Sequence, residues 1–187
     1  MNEAVKVGVS GHRILAEIEK LEASLSRALR VILESFPGRR MVVVSPLAEG
    51  ADRLVARAVL GHAGTGLFVP LPLPVDDYLE DFASPESKAE FRELLARAEE
   101  IVDLPPAPTR DAAYEQVGEY VLDHSDVLVA VWDGLDAQGQ GGTADIVGRA
   151  LARGMTVIHI KAGNRKPGTT EPTSLGPEQG LLVVHNL

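Results

Sequence analysis

Apolar residues along this chain fall into two alternating periods. Ala4 to Val9 is a short β-branched run ending at Ser10-Gly11, and beyond it Ile14, Ile18, Leu21, Leu25, Leu29, Ile32 and Phe36 recur at spacings of three and four. The first reads as a strand, and the second as a long amphipathic helix that opens just after the turn. Pro37-Gly38 stops that helix, Met41 to Val44 reads as a second strand, and Leu54, Val55, Ala58 and Val59 mark one face of a second helix. Leu67 to Val69 reads as a third strand. Pro70, Pro72 and Pro74 are expected to end it, because a proline ring offers no amide to a central ladder.

The pattern then repeats less regularly. Glu86 to Glu100 reads as a charged helix with Phe91, Leu94, Leu95 and Ala98 on one side, followed by a short apolar run from Ile101 to Leu104 and a proline-rich break through Pro108. Ala112 to His124 reads as another helix, with Val117, Val121 and Leu122 turned inward. Val127-Leu128-Val129-Ala130-Val131 is apolar at every position, which predicts a strand covered on both faces at the centre of the sheet. Gly139 to Gly142 leads into a helix through Arg153, and Thr156 to Ile160 is one more strand. Residues 161–180 read as an exposed loop. Leu181 to Val184 reads either as an edge strand or as a contact covered by a partner subunit. Strands alternating with helices predict an α/β, Rossmann-like doubly wound fold: a mainly parallel sheet with helices on both faces, one domain over residues 1–187.

Composition narrows the chemistry. Of 187 residues, 27 are acidic and 18 basic, a net charge of −9, and only 4% are aromatic. That balance opposes general attraction to nucleic acid or anionic lipid but permits a small phosphorylated ligand in a locally positive pocket. Cysteine is absent, which excludes disulfides and thiolate nucleophiles. The first residues show no export leader and no segment has the length to span a bilayer, so the expectation is a cytoplasmic protein without membrane association. The five histidines form no close pair suited to a metal, and neither a metal nor a cofactor is expected.

In a doubly wound sheet, ligands sit beyond the carboxyl ends of the strands, where the strand order reverses. The unusual turns of this chain all fall at such ends. Gly139-Gln140-Gly141-Gly142-Thr143 offers amides that can approach an anion at the positive end of a helix; the plainer alternative is a loop with Thr143 as a helix cap. Ser10-Gly11-His12-Arg13 offers a hydroxyl, an imidazole and a guanidinium that can fork onto phosphate. Its alternative is Ser10 as a helix cap with Arg13 solvated. Ser45 to Arg53 places Gly50 at a strand-to-helix turn, with Asp52 suited to pinning a neighbouring loop. Asp133 and Asp145 are candidates to bond a ribose or to assist chemistry at a sugar carbon; the alternative for Asp145 is a first-turn helix acid with a structural use. Tyr114 and Glu115 open a helix that could close over a ligand or simply pack, and Trp132 is either a base-stacking surface or a core residue. No P-loop is present. Gly139-x-Gly141-x-x-Ala144 lacks the acidic residue that a dinucleotide site needs after the next strand.

These turns carry a family resemblance. Val42 to Ala56, with Ser45-Pro46-Leu47-Ala48-Glu49-Gly50-Ala51-Asp52, resembles the Ser-Gly-Leu-Ala-x-Gly-Ile-Asp segment of the DNA-processing protein A family. Gly139 to Thr143 resembles the Gly-Gly-x-Gly-Thr loop of the Lonely Guy phosphoribohydrolases, once labelled lysine decarboxylases. Both belong to the SLOG superfamily, whose first strand and turn Val7 to Arg13 also suits. The resemblance implies a pocket for a nucleotide or nucleotide-derived ligand at Ser10, Gly11, His12, Arg13, Ser45, Gly50, Asp133, Gly139, Gly141, Gly142 and Thr143. It also implies a homodimer or higher homo-oligomer. Where Lonely Guy enzymes carry a glutamate three positions after the threonine, this chain has Ile146, with the shorter Asp145 one place early. The leading expectation is therefore a binding module or sensor. Beside it stand a nucleoside 5′-monophosphate phosphoribohydrolase using Asp145 or Glu115, and a non-catalytic assembly scaffold.

Overall fold

The computed structural model describes residues 4–135 and 142–187. Seven strands form one sheet in the order β4-β3-β2-β1-β5-β6-β7. In chain order these are β1 Val5–Gly11, β2 Met41–Val44, β3 Gly66–Leu71, β4 Glu100–Asp103, β5 Val127–Trp132, β6 Thr156–Lys161 and β7 Leu182–His185. The first six run parallel, and β7 pairs antiparallel with β6. Helices α1 Ile18–Ser35, α2 Ala51–Leu60, α3 Val75–Leu79, α4 Pro85–Leu95, α5 Arg110–Asp123 and α6 Thr143–Ala152 complete the α/β architecture.

Alternation along the strands divides the core into two layers. Val5, Val7 and Val9 with Val127, Val129 and Val131 join the larger cluster under α1 and α2. Leu128, Ala130 and Val157 meet Ile146, Val147 and Ala150 of α6 on the other face. β5 is buried on both sides, as its unbroken apolar run requires. On α1 the buried stripe is Leu21, Leu25, Ala28, Leu29 and Ile32, and each of its leucine and isoleucine side chains contributes about 1.5–3 kcal/mol by leaving water. Proline at the first position and Ser84, whose hydroxyl accepts from the Ser87 N–H at 3.2 Å, start α4; Thr109 caps α5 in the same way from the Ala112 N–H at 3.1 Å. Among the described residues, no helix is long and apolar enough to cross a membrane.

Three sequence expectations change. The first helix begins at Ile18, not just after Gly11; residues 12–17 form an irregular bridge that enters α1 through Glu17 at φ 51°, so Ser10 lies within β1 and caps nothing. Pro70 continues β3 instead of ending it. The Leu67 and Leu71 carbonyls accept from Glu99 and Leu104 on the β4 side, so alternation points the Pro70 nitrogen toward β2. That strand has already ended, since its last registered pair is Val44 with Phe68, and the missing amide costs no bond. Finally, residues 161–180 are tied down more than an exposed loop would be. Gln179 is buried; its Oε1 accepts from Gly163 N–H at 2.9 Å and Leu175 N–H at 3.1 Å, and its Nε2 donates to the Ala16 carbonyl at 2.9 Å.

That one amide clamps the segment after β6 onto the bridge after β1. Gln179→Ala strands three backbone groups and is expected to cost about 2 kcal/mol, with faster amide hydrogen exchange at Gly163 and Leu175. Unchanged exchange at both would show that the clamp is not what holds them. The segment 181–184 resolves as an edge strand, β7.

Candidate functional site

Strands β1 to β4 build the sheet outward in one direction and β5 to β7 in the other, so the order reverses between β1 and β5. These two strands are parallel neighbours, with Gly11 in register with Val131, and the helices that follow them, α1 and α6, pack on opposite faces of the sheet, the arrangement beside which doubly wound folds seat their ligands. Three turns meet there. His12 N–H donates to the Val131 carbonyl at 2.9 Å, and Ala51 N–H donates to the His12 carbonyl at 3.0 Å. The fit is close at Gly11, where a Cβ would lie 2.4 Å from both the Ala51 Cβ and the Val131 oxygen.

His12 bridges the switch point. Its Nε2 lies 3.1 Å from the Asp133 backbone nitrogen and 3.2 Å from Oδ2 of the same residue. Burial lowers the His12 pKa and outweighs the Asp133 carboxylate, which raises it. The ring is therefore neutral near pH 7, and Nε2 accepts the Asp133 N–H, which assigns the ring proton to Nδ1. Asp133 Oδ1 in turn accepts from Leu135 N–H at 3.0 Å. Two residues 121 apart in sequence thus lock the β1 and β5 turns together.

Arg13 stands exposed at the same edge. Its guanidinium lies 5.2 Å from the Tyr114 ring centre, and among the described residues no hydrogen bond or ion pair occupies its donors. The Tyr114 hydroxyl bonds Asp81, which also holds Arg110 Nε at 2.9 Å. Cation–π packing orients the arginine while leaving its N–H fork available to an anion.

Beyond the β5 turn, α6 opens at Gly142, which is extended and gives no side-chain cap; the first intrahelical bond is Ile146 N–H to the Gly142 carbonyl at 3.1 Å. The amides of the first turn have no partner within the helix. Gly142 is exposed and Thr143 half-buried. Gly139 and Gly141 lie outside the described residues.

Other candidates are committed elsewhere. Ser45 is fully buried, its Oγ accepting from Leu47 N–H at 3.1 Å and bonding Asp52. Asp52 Oδ2 accepts from Ala48 N–H at 3.2 Å, so this carboxylate pins its own loop. Gly50 sits at φ 78° beneath the His12 and Arg13 carbonyls. Asp145 and Glu115 come together on a shared cation: Arg149 Nη2 reaches them at 2.9 and 2.6 Å, while Nη1 holds Glu119 at 2.5 Å. Trp132 packs on the α6 face with its ring 5.4 Å from His159. The Arg13–Tyr114 pair has no local sequence signal, because it joins separate elements far apart in the chain; in the Arg149 cluster only the Asp145–Arg149 pair, four residues apart on α6, is readable locally, and Glu115 and Glu119 come from α5. Among the described residues, no group of His, Asp and Glu side chains is placed to hold a metal ion.

No protein-family model matches the chain, and no curated protein matches it. Among solved structures, the X-ray structure of TM1055, a structural-genomics target, is similar at 19% identity. That likeness covers 82% of this chain and 72% of the other, with a TM-score of 0.49.

Proposed function

We propose that the protein is a binding module or sensor for a nucleotide or ribose-phosphate derivative, seated at the carboxyl ends of β1 and β5. The observation that carries this reading is Arg13, an exposed guanidinium whose donors are open among the described residues, together with the α6 N-terminus at Gly142, which has no side-chain cap among them. Both flank the strand pair where the order reverses. Arg13 forks onto phosphate oxygens, and the Gly142 and Thr143 amides with the Thr143 hydroxyl take the remaining acceptors. His12 Nδ1–H and the Asp133 carboxylate supply a donor and acceptors for sugar hydroxyls.

Binding is favoured over phosphoribohydrolase activity for a specific reason. Asp145 and Glu115, the acids that the hydrolytic reading would use, both give oxygens to Arg149. A sugar cation would compete with a fixed guanidinium for them. Assembly of copies does not conflict with a ligand at these strand ends.

The test is calorimetry and thermal shift with mono-, di- and cyclic nucleotides and ADP-ribose. Arg13→Ala is expected to weaken the best ligand about 10- to 100-fold, the value of one charge-assisted contact of about 1.5–3 kcal/mol. Arg13→Ala with Thr143→Ala is expected to abolish binding with little change in melting temperature, since both side chains reach solvent. Wild type binding no member of the panel better than the double variant would refute the reading. Free base released from AMP would move the assignment to hydrolysis.

A further inference from the structure

The two edges of the sheet differ in charge. At one edge β4, Glu100-Ile101-Val102-Asp103, carries a carboxylate at each end; a two-fold copy centred on it would set Glu100 against an aspartate. At the other edge β7, Leu182-Val183-Val184-His185, carries no carboxylate, lysine, arginine or proline. It is flanked by Leu181 and Leu187, 48% and 81% exposed. In a chain of net charge −9, copies repel one another across most of their surface, and β7 is a neutral apolar edge without the usual protections against strand pairing.

The β6 ladder fixes which amides of β7 are open. Lys161 N–H donates to the Leu181 carbonyl at 2.8 Å, and the register continues as Ile160 with Leu182, His159 with Val183 and Ile158 with Val184. Antiparallel pairs alternate between bonded and non-bonded, so Leu181 and Val183 turn their backbone groups toward β6. Leu182 and Val184 turn theirs outward.

We infer that β7 is the contact between two copies of this chain, their sheets joining edge to edge, antiparallel about a two-fold axis at Val183. The outward groups permit this register because Leu182 then faces the partner's Val184 and bonds it in both directions. Val183 faces the partner's Val183, and the exposed Leu181 faces the partner's His185. Leu182 and Val184 already pack against the main core, so the apolar row on that face continues across the axis. No like charges meet in this register.

Cross-linking reads the register directly, because the chain has no cysteine. On the axis Val183 forms a non-bonded pair, where Cα atoms lie about 4.5 Å apart, within the span of a disulfide. Val183→Cys is expected to oxidise to a covalent dimer at least about tenfold faster than Leu181→Cys, whose own copies lie about 14 Å apart along the strands. Wild type is expected to sediment as a dimer, and Val183→Lys as a folded monomer, with circular dichroism confirming the fold. Equal oxidation rates, a monomeric wild type, or a Val183→Lys dimer would each overturn the assignment.

Discussion

Gly50→Ala is expected to cost about 4 kcal/mol or more, enough to leave a domain of this size marginal or unfolded. Two terms add. Gly50 has φ 78° and ψ −118°, a conformation that an L-residue reaches at about 1–3 kcal/mol. A Cβ there would also lie 2.4 Å from the carbonyl oxygens of both His12 and Arg13. Those oxygens belong to backbone and cannot swing aside, and the His12 carbonyl already accepts from Ala51 N–H at 3.0 Å. Relief therefore moves the turn after β1 and loosens the His12–Asp133 bridge. Gly64→Ala is the control, with a similar φ of 75° and no atom within 4 Å of its added Cβ. It carries the dihedral strain alone and is expected to cost about 1 kcal/mol. Urea unfolding of the two variants measures the difference; equal costs would mean that the β1 and β2 turns are not wedged together as described.

This wedge explains what was legible in the sequence and what was not. The strands and most helices follow from periodicity, because the apolar runs of β2 and β5 and the stripe of α1 each answer to a core contacted locally. The place of these turns was legible as well, since Gly11, His12, Arg13, Asp133 and Gly142 all lie at carboxyl ends of strands flanking the reversal. The start of α1 was not. Ile14 sits in helical phase with Ile18, yet residues 12–17 leave the helix to meet Gln179, a partner 163 residues from Ala16. Pro70 misled for a related reason: its cost depends on where β2 stops, which β3 does not encode. The Ser45 to Arg53 turn reads from sequence as offering Ser45 and Gly50 to a ligand and Asp52 to the pinning of a loop; the pin is there, and much of the turn is inward. Leu47 is held at φ 60°, Arg53 Nε bonds its carbonyl at 3.0 Å, and the same guanidinium bonds the Ser87 carbonyl at 2.9 Å and stacks 4.5 Å from the Phe82 ring. Local spacing cannot distinguish a polar turn that faces solvent from one that buries its charges.

Asp52 turns that buried polar loop into a pH-dependent quantity. Its carboxyl is pushed up to about 6, chiefly by burial, against the Ala48 N–H, the Ser45 hydroxyl and the more distant Arg13 and Arg53, which all favour the charged form. In the unfolded chain it titrates near 3.8. Below that value both states are protonated and burial carries no ionic cost. Between about 4 and 6 the folded state holds the extra proton, so stability falls as the pH rises. Above about 6 the folded state holds a buried charge and the full penalty, about 3 kcal/mol, is present. An asparagine at this position would keep an acceptor for the Ala48 N–H without that charge. Asp52→Asn is thus expected to match wild type near pH 4 and to exceed it by about 2–3 kcal/mol at pH 8. The comparison must be between the two proteins at each pH, because Glu99, Glu119 and Glu178, held low by Arg40, Arg149 and Lys161, give the opposite trend in both. Neutralising Asp52 also removes a negative charge that acts on Arg13, so a phosphorylated ligand is expected to bind Asp52→Asn more tightly at pH 8. A variant less stable than wild type at pH 8 would mean that Arg13 and Arg53 stabilise the ionised carboxylate by more than its burial costs.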